Sequence, residues 1–216
     1  LRRDFYDRST EQVARMLLGK LLLRRIAGET VGGVIVETEA YLSKTDPASH
    51  SARGETRSNA AMFGRAGTVY VYPIHAKYCM NVVTSPVGQG SAVLIRAIEP
   101  TWGLSAMREW RDTDDERRRT RGPAMLCQAL QIDRRQDGTD LLLNDEISIA
   151  EGPEFDFEIG ISRRIGISSA IDRPLRFFVD GNRFVSGLAR DHKQKPSTRF
   201  AAADDKLSPN DATTRL

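Results

Sequence analysis

The chain has 216 residues, 40% of them hydrophobic, and a formal charge of +3 from 32 basic against 29 acidic side chains. That composition supplies one sizeable core rather than two, so a single domain is expected. No run of 18 apolar residues occurs and the first residues, Leu1 to Asp7, lack an apolar leader. A membrane helix is therefore not expected, and the expected location is intracellular, cytoplasmic at the nucleoid in a bacterium.

Ser9 to Gln12 reads as a capping box opening a helix, with Val13, Ala14, Leu17 and Leu18 at helical spacing and Gly19 as a break before a strand from about Leu21 to Arg25. Gly32-Gly33 then opens a strand over Val34 to Tyr41. Its alternation places Ile35, Glu37, Glu39 and Tyr41 on one face, so two carboxylates and a phenol stand where apolar groups are expected. Two readings follow. The face is solvated, or the acids are buried, a setting that raises an unpaired carboxylate's pKa and suits it to general-base chemistry.

Leu42 to Ala61 is polar and reads as a long loop, a feature that is usually functional or mobile. Three β-rich stretches follow: Thr68 to Tyr72, Tyr78 to Thr84 and Ala92 to Ile98, the last two joined by the turn Ser85 to Gly90. From Trp102 to Arg121, arginines alternate with Asp112, Asp114, Asp115 and Glu116, the pattern of a solvated, self-compensating surface. The arginines as a set permit a phosphate-binding surface without demanding one. Gly122-Pro123 opens a short apolar helix to Leu130 whose first turn suits either packing or a phosphate. Strands are expected at Ile147 to Ala150 and Leu175 to Val179, the latter turning at Asp180-Gly181-Asn182 into a return strand at Phe184-Val185. Residues 191–216 read as a polar, flexible tail behind a domain of residues 1–190. Cys79 and Cys127 fit neither a disulfide framework nor a ligand pair, and no clustered His/Cys motif suggests a metal site.

Taken together, Val36-Glu37-Thr38-Glu39-Ala40-Tyr41, His50, Gly67 to Tyr72, Cys79-Met80-Asn81, Leu94 to Pro100 and Gly122 to Leu130 resemble, in order, the alkyladenine or 3-methyladenine DNA glycosylase family from about Asp4 to Arg190. The resemblance implies an α+β domain with a curved antiparallel sheet and a protruding β-hairpin, similar to the C-terminal domain of methionyl-tRNA formyltransferases. It also implies a base-excision-repair hydrolase that flips alkylated or deaminated purines out of damaged double-stranded DNA and releases them, as a monomer, with no cofactor and no lyase step, because no lysine nucleophile matches. By the same resemblance Glu39 is the general base, Arg96 and the Ile165 carbonyl hold the attacking water, Tyr41, His50 and Tyr72 sandwich the flipped base, and Asn81 rejects guanine. Glu37 has no matched role and is expected to be structural.

Two departures stand out. The hairpin stretch Tyr72 to Cys79 is one residue shorter than the commonest family pattern and offers His75, not tyrosine, as the residue wedged into DNA. Met125 stands where many relatives carry lysine. The alternatives are a non-catalytic nucleic-acid binding module on the same fold and a hydrolase of free nucleosides.

Overall fold

A computed structural model of the chain describes residues 1–192 and 199–200, with backbone alone at 189, 190, 199 and 200. Two short helices lead in, α1 (Arg3–Tyr6) and α2 (Thr10–Met16), and the Ser9 hydroxyl accepts the Gln12 N–H to cap α2. The sheet strands are β1 (Leu21–Ile26), β2 (Glu29–Tyr41), β3 (Val69–Ile74), β4 (Lys77–Thr84), β5 (Ser91–Trp102), β6 (Ile147–Ala150), β7 (Phe157–Ser162), β8 (Arg176–Val179) and β9 (Arg199–Phe200). Three further helices, α3 (Leu104–Arg111), α4 (Glu116–Thr120) and α5 (Pro123–Ala129), lie between β5 and β6. The fold is α+β with one curled antiparallel sheet, ordered β3-β4-β5-β2-β8-β7-β9, and with β1 and β6 on a branch from β2.

Strand β2 is the axis. Its early residues pair with β1, residues 37–39 pair with β8, and β5 runs along its other edge. Gly32 and Gly33, expected to precede this strand, lie inside it because β1 and β5 approach too closely for a side chain. A Cβ on Gly32 would overlap the Leu22 carbonyl, and one on Gly33 the Glu99 carbonyl. Residues 31–40 are all buried, so β2 is covered on both faces. Thr38 shows what covers one of them, its hydroxyl donating to Ala14 O of α2 at 2.8 Å. The other face carries the acids.

The surface expected from Trp102 to Arg121 is partly interior. Met107 and Arg119 are buried, and buried Thr120 donates to Ile98 O at 2.6 Å, anchoring α4 to β5. The return strand expected at Phe184-Val185 does not form. Carbonyls in and beside it are taken instead by guanidiniums, Arg117 Nε on Arg183 O at 3.1 Å and Arg121 on Val185 O at 2.7 Å and Gly187 O at 3.0 Å. Backbone groups satisfied by side chains need no ladder partner, and the segment is free to cross toward β2. Of the expected tail, Asp191 and His192 close a 3₁₀ turn (Ala189–His192) with the His192 ring 5.3 Å from that of Phe178, and β9 pairs with β7. Residues 193–198 and 201–216 lie outside the described residues.

Candidate active site

Neither acid of the Glu37-Thr38-Glu39 stretch of β2 is solvated: Glu37 and Glu39 are both fully buried. Strand parity puts them on one face, and a local irregularity brings their counter-ion. Ile35 pairs with Ile98, Glu37 with Ala97 and Thr38 with Ile95, so Val36 and Arg96 face no partner residue. Such offsets re-aim a side chain. Arg96 extends between the two carboxylates, its Nε 2.9 Å from Glu37 Oε1 and its Nη1 3.3 Å from Glu39 Oε1. Burial would lower the pKa of this guanidinium, but Glu39 and Glu37 outweigh it and raise it instead.

Glu37 is the hub of a packed ion cluster. Its Oε1 accepts from Arg96 Nε, from Arg176 Nε at 2.6 Å and from the Ser186 hydroxyl at 2.9 Å, while Oε2 accepts the Ser186 N–H at 2.7 Å. Burial pushes this carboxyl up, and the charges of Arg96 and Arg176 pull it below its ordinary value of 4.5. Arg176 is itself fully buried, with further bonds to Ser162 Oγ at 2.7 Å and Ser186 O at 2.8 Å. All four bonds to this carboxylate come from groups buried inside the protein, two of them guanidiniums, which fits Glu37 to a structural task.

Glu39 is held differently. Its Oε1 takes the Ile165 N–H at 2.8 Å and the Arg96 contact, and its Oε2 takes the Tyr41 hydroxyl at 2.8 Å. A carboxylate offers about four lone-pair positions, so one acceptor direction on Oε2 is left. Burial and then the adjacent Glu39 charge push the Tyr41 phenol far above its ordinary value, which keeps it a donor. Ile165 meets Glu39 through its N–H, an interaction that the sequence reading of its carbonyl did not contain.

Around Glu39 lies an aromatic group. Tyr41 and Tyr72 pack against a small cluster with Tyr70, Met62 and Phe63. The ring centroids of His50 and Tyr72 are 4.4 Å apart, edge to face, and His50 Nδ1 is 2.8 Å from the Tyr70 hydroxyl. Burial lowers the His50 pKa, although the residue as a whole remains exposed. Burial also raises Tyr72, and pushes Tyr70 up to about 12. Asn81 is buried opposite Tyr70, its amide donating to Tyr70 O at 3.1 Å. The His50 loop is fixed by a buried pair: Arg164 reaches both oxygens of Asp46, at 2.5 and 2.8 Å, bonds Ala40 O at 3.0 Å and lies 4.6 Å over the Tyr41 ring. Because Arg164 neighbours Ile165, the same clamp sets the N–H that orients Glu39.

The structure thus brings together Glu39, Arg96, Ile165, Tyr41, His50, Tyr72 and Asn81. His75 stands apart, at the exposed tip of the β3–β4 hairpin, in a two-residue loop where His75 and Ala76 both have positive φ, 46° and 62°. Sequence reasoning missed Tyr70, Asp46, Arg164, Arg176 and Ser186. Only Tyr70 carried a signal, since strand parity places it beside Tyr72. Among the described residues no three His, Cys, Asp or Glu side chains gather as a metal site, and no helix is long and apolar enough to cross a membrane.

Comparison with known proteins shows the family. The sequence profile of Methylpurine-DNA glycosylase (MPG) matches residues 4–183. A Rhodopirellula baltica protein provisionally named 3-methyladenine DNA glycosylase is 54% identical over 200 residues, covering 90% of this chain and 86% of its own length. A Methanoculleus marisnigri protein with the same provisional name is 48% identical, covering 84% of this chain and 96% of its own. An Encephalitozoon cuniculi protein, provisionally named DNA-3-methyladenine glycosylase, is 46% identical over 83% of this chain and 89% of its own. With nearly the whole of the described domain inside these matches, the chain belongs to the methylpurine-DNA glycosylase family.

Proposed function

We propose that the protein is a monofunctional purine DNA glycosylase that hydrolyses the N-glycosidic bond of alkylated or deaminated purines, the 3-methyladenine, hypoxanthine and ethenoadenine class, in damaged duplex DNA. The observation that carries this reading is Glu39: a buried carboxylate oriented by Ile165 N–H, Tyr41 and Arg96, with one acceptor direction left beside an aromatic group. A stacked base is out of reach, so the target nucleotide is flipped against Tyr41, His50 and Tyr72, where stacking contributes ~1–3 kcal/mol per base. Glu39 then takes a proton from a water held with the help of Arg96 and the Ile165 carbonyl. The water oxygen bonds to C1′, the C1′–N bond breaks, and its electron pair leaves with the purine. An abasic site remains in an uncut strand.

Asn81 beside Tyr70 supplies the edge contact that disfavours the exocyclic amine of guanine. His75 at the hairpin tip fills the gap left in the duplex, and a single copy of the chain supplies every group named, which supports action as a monomer. Duplexes carrying hypoxanthine, ethenoadenine or 3-methyladenine, incubated with the wild type and with Glu39→Gln, test the reading. Base release by the wild type alone, with no strand nicking, is expected. Tight binding without release would leave a binding module, and release from free nucleosides alone a nucleoside hydrolase.

A further inference from the structure

A cleft of about 270 Å³ is lined by Arg117, Arg121, Asn182, Arg183 and His192 together with Phe178. No residue of the Glu39 site lines it, and no acid does. Three arginines line it, and two of them, Arg117 and Arg121, hold the 183–187 segment. Arg117 and Arg121 spend Nε, and Arg121 also Nη2, on the carbonyls of Arg183, Val185 and Gly187. Arg183 spends Nη2 on Glu116. Among the described residues the terminal nitrogens of Arg117 and Nη1 of Arg121 have no protein acceptor. Glu99 accepts from the Asn182 amide at 2.7 Å, which fixes that side chain. His192 donates Nε2–H to Ser186 O at 2.8 Å, which pins the ring as a wall.

We propose that this cleft is a binding site for a phosphate group. Its volume of about 270 Å³ has room for a partly hydrated phosphate and is less than the ~300 Å³ at which ordinary small-ligand pockets begin. Its donors are planar, forked and pre-oriented by their carbonyl bonds, the arrangement that favours arginine over lysine for oxyanions. The phosphate comes either from the backbone of bound DNA or from free anion. The first source rests on the proposed action on duplex DNA and the second does not.

Two measurements test the site. In the first, the wild type is titrated with sodium phosphate against a sodium chloride control while the amide resonances of Gly181, Asn182 and Arg183 are followed by NMR. In the second, binding of an undamaged duplex is measured across a salt series for the wild type and for Arg117→Ala/Arg183→Ala, with circular dichroism as a check of folding. A saturable phosphate-specific shift is expected, together with a log K against log salt slope that is shallower in the double variant by ~0.9 for each DNA phosphate it no longer neutralises. A shift with an unchanged slope supports the site with free phosphate as its ligand, and a reduced slope alone supports it with the DNA backbone. No saturable shift together with an unchanged slope overturns it. Failure of the wild type to release any base would sink the glycosylase reading while leaving the phosphate titration readable.

Discussion

Replacing Glu37 and Glu39 one at a time by glutamine separates structure from chemistry, because two acids on one strand face are bonded so differently. In Glu37→Gln the amide loses the charge that compensates two buried guanidiniums, and its NH₂ either meets the Ser186 N–H, donor to donor, or abandons Arg96 and Arg176. Removing one partner of a buried ion pair costs about 3–5 kcal/mol, a large fraction of a typical stability of ~5–15 kcal/mol. In Glu39→Gln the amide oxygen still accepts Ile165 N–H, the Tyr41 hydroxyl rotates to accept from the amide, and Arg96 keeps Glu37. That loss is about 1.5–3 kcal/mol, the scale of one charged hydrogen bond. Urea unfolding at pH 7 is expected to show the larger fall in stability for Glu37→Gln with m unchanged. Base release under conditions where both variants are folded is expected to fall ~10²–10⁴-fold for Glu39→Gln, the scale of general-base catalysis, and much less for Glu37→Gln. Equal destabilisation by both, or the greater chemical loss in Glu37→Gln, would refute the division of labour.

Acid stability follows from the same clusters. In Glu37, burial is outweighed by Arg96 and Arg176, and in Asp46 burial is outweighed by Arg164, so both folded-state values lie below the ordinary 4.5 and 3.8. Each therefore contributes stability in full above its unfolded value and loses it as pH falls through the folded one. Urea midpoints are expected to hold from pH 7 down to about 4.5 and then drop, less steeply in Glu37→Gln, and parallel curves would contradict the linkage. Tyr70→Phe removes the bond to His50 Nδ1 and is expected to slow base release about five-fold, for ~1 kcal/mol of lost orientation; an unchanged rate would show that the ring contacts alone place His50. Ala76→Gly relieves a left-handed alanine at the hairpin tip and is expected to stabilise the protein by ~1 kcal/mol in thermal unfolding. His75→Ala is expected to reduce release from duplex more than from single-stranded DNA, whereas equal losses would argue against a wedge.

What the amino-acid sequence determined by itself was set by local rules and by motif order. The Ser9 cap, the helix after Pro123, the hairpin strands and the shared face of Glu37, Glu39 and Tyr41 follow from propensity and period, and the ordered motifs point to the family that the comparisons establish. Tertiary structure alone decided which acid is which. Both occupy the same face of β2, and nothing in the string Glu-Thr-Glu says that Arg176 and Ser186, more than a hundred residues later, close around the first while Ile165 orients the second. The same holds for the Asp46–Arg164 clamp and for the missing return strand at Phe184-Val185. In each case a charged side chain pairs over a long sequence separation, where no local period registers it, and the low-dielectric interior makes that pairing decisive.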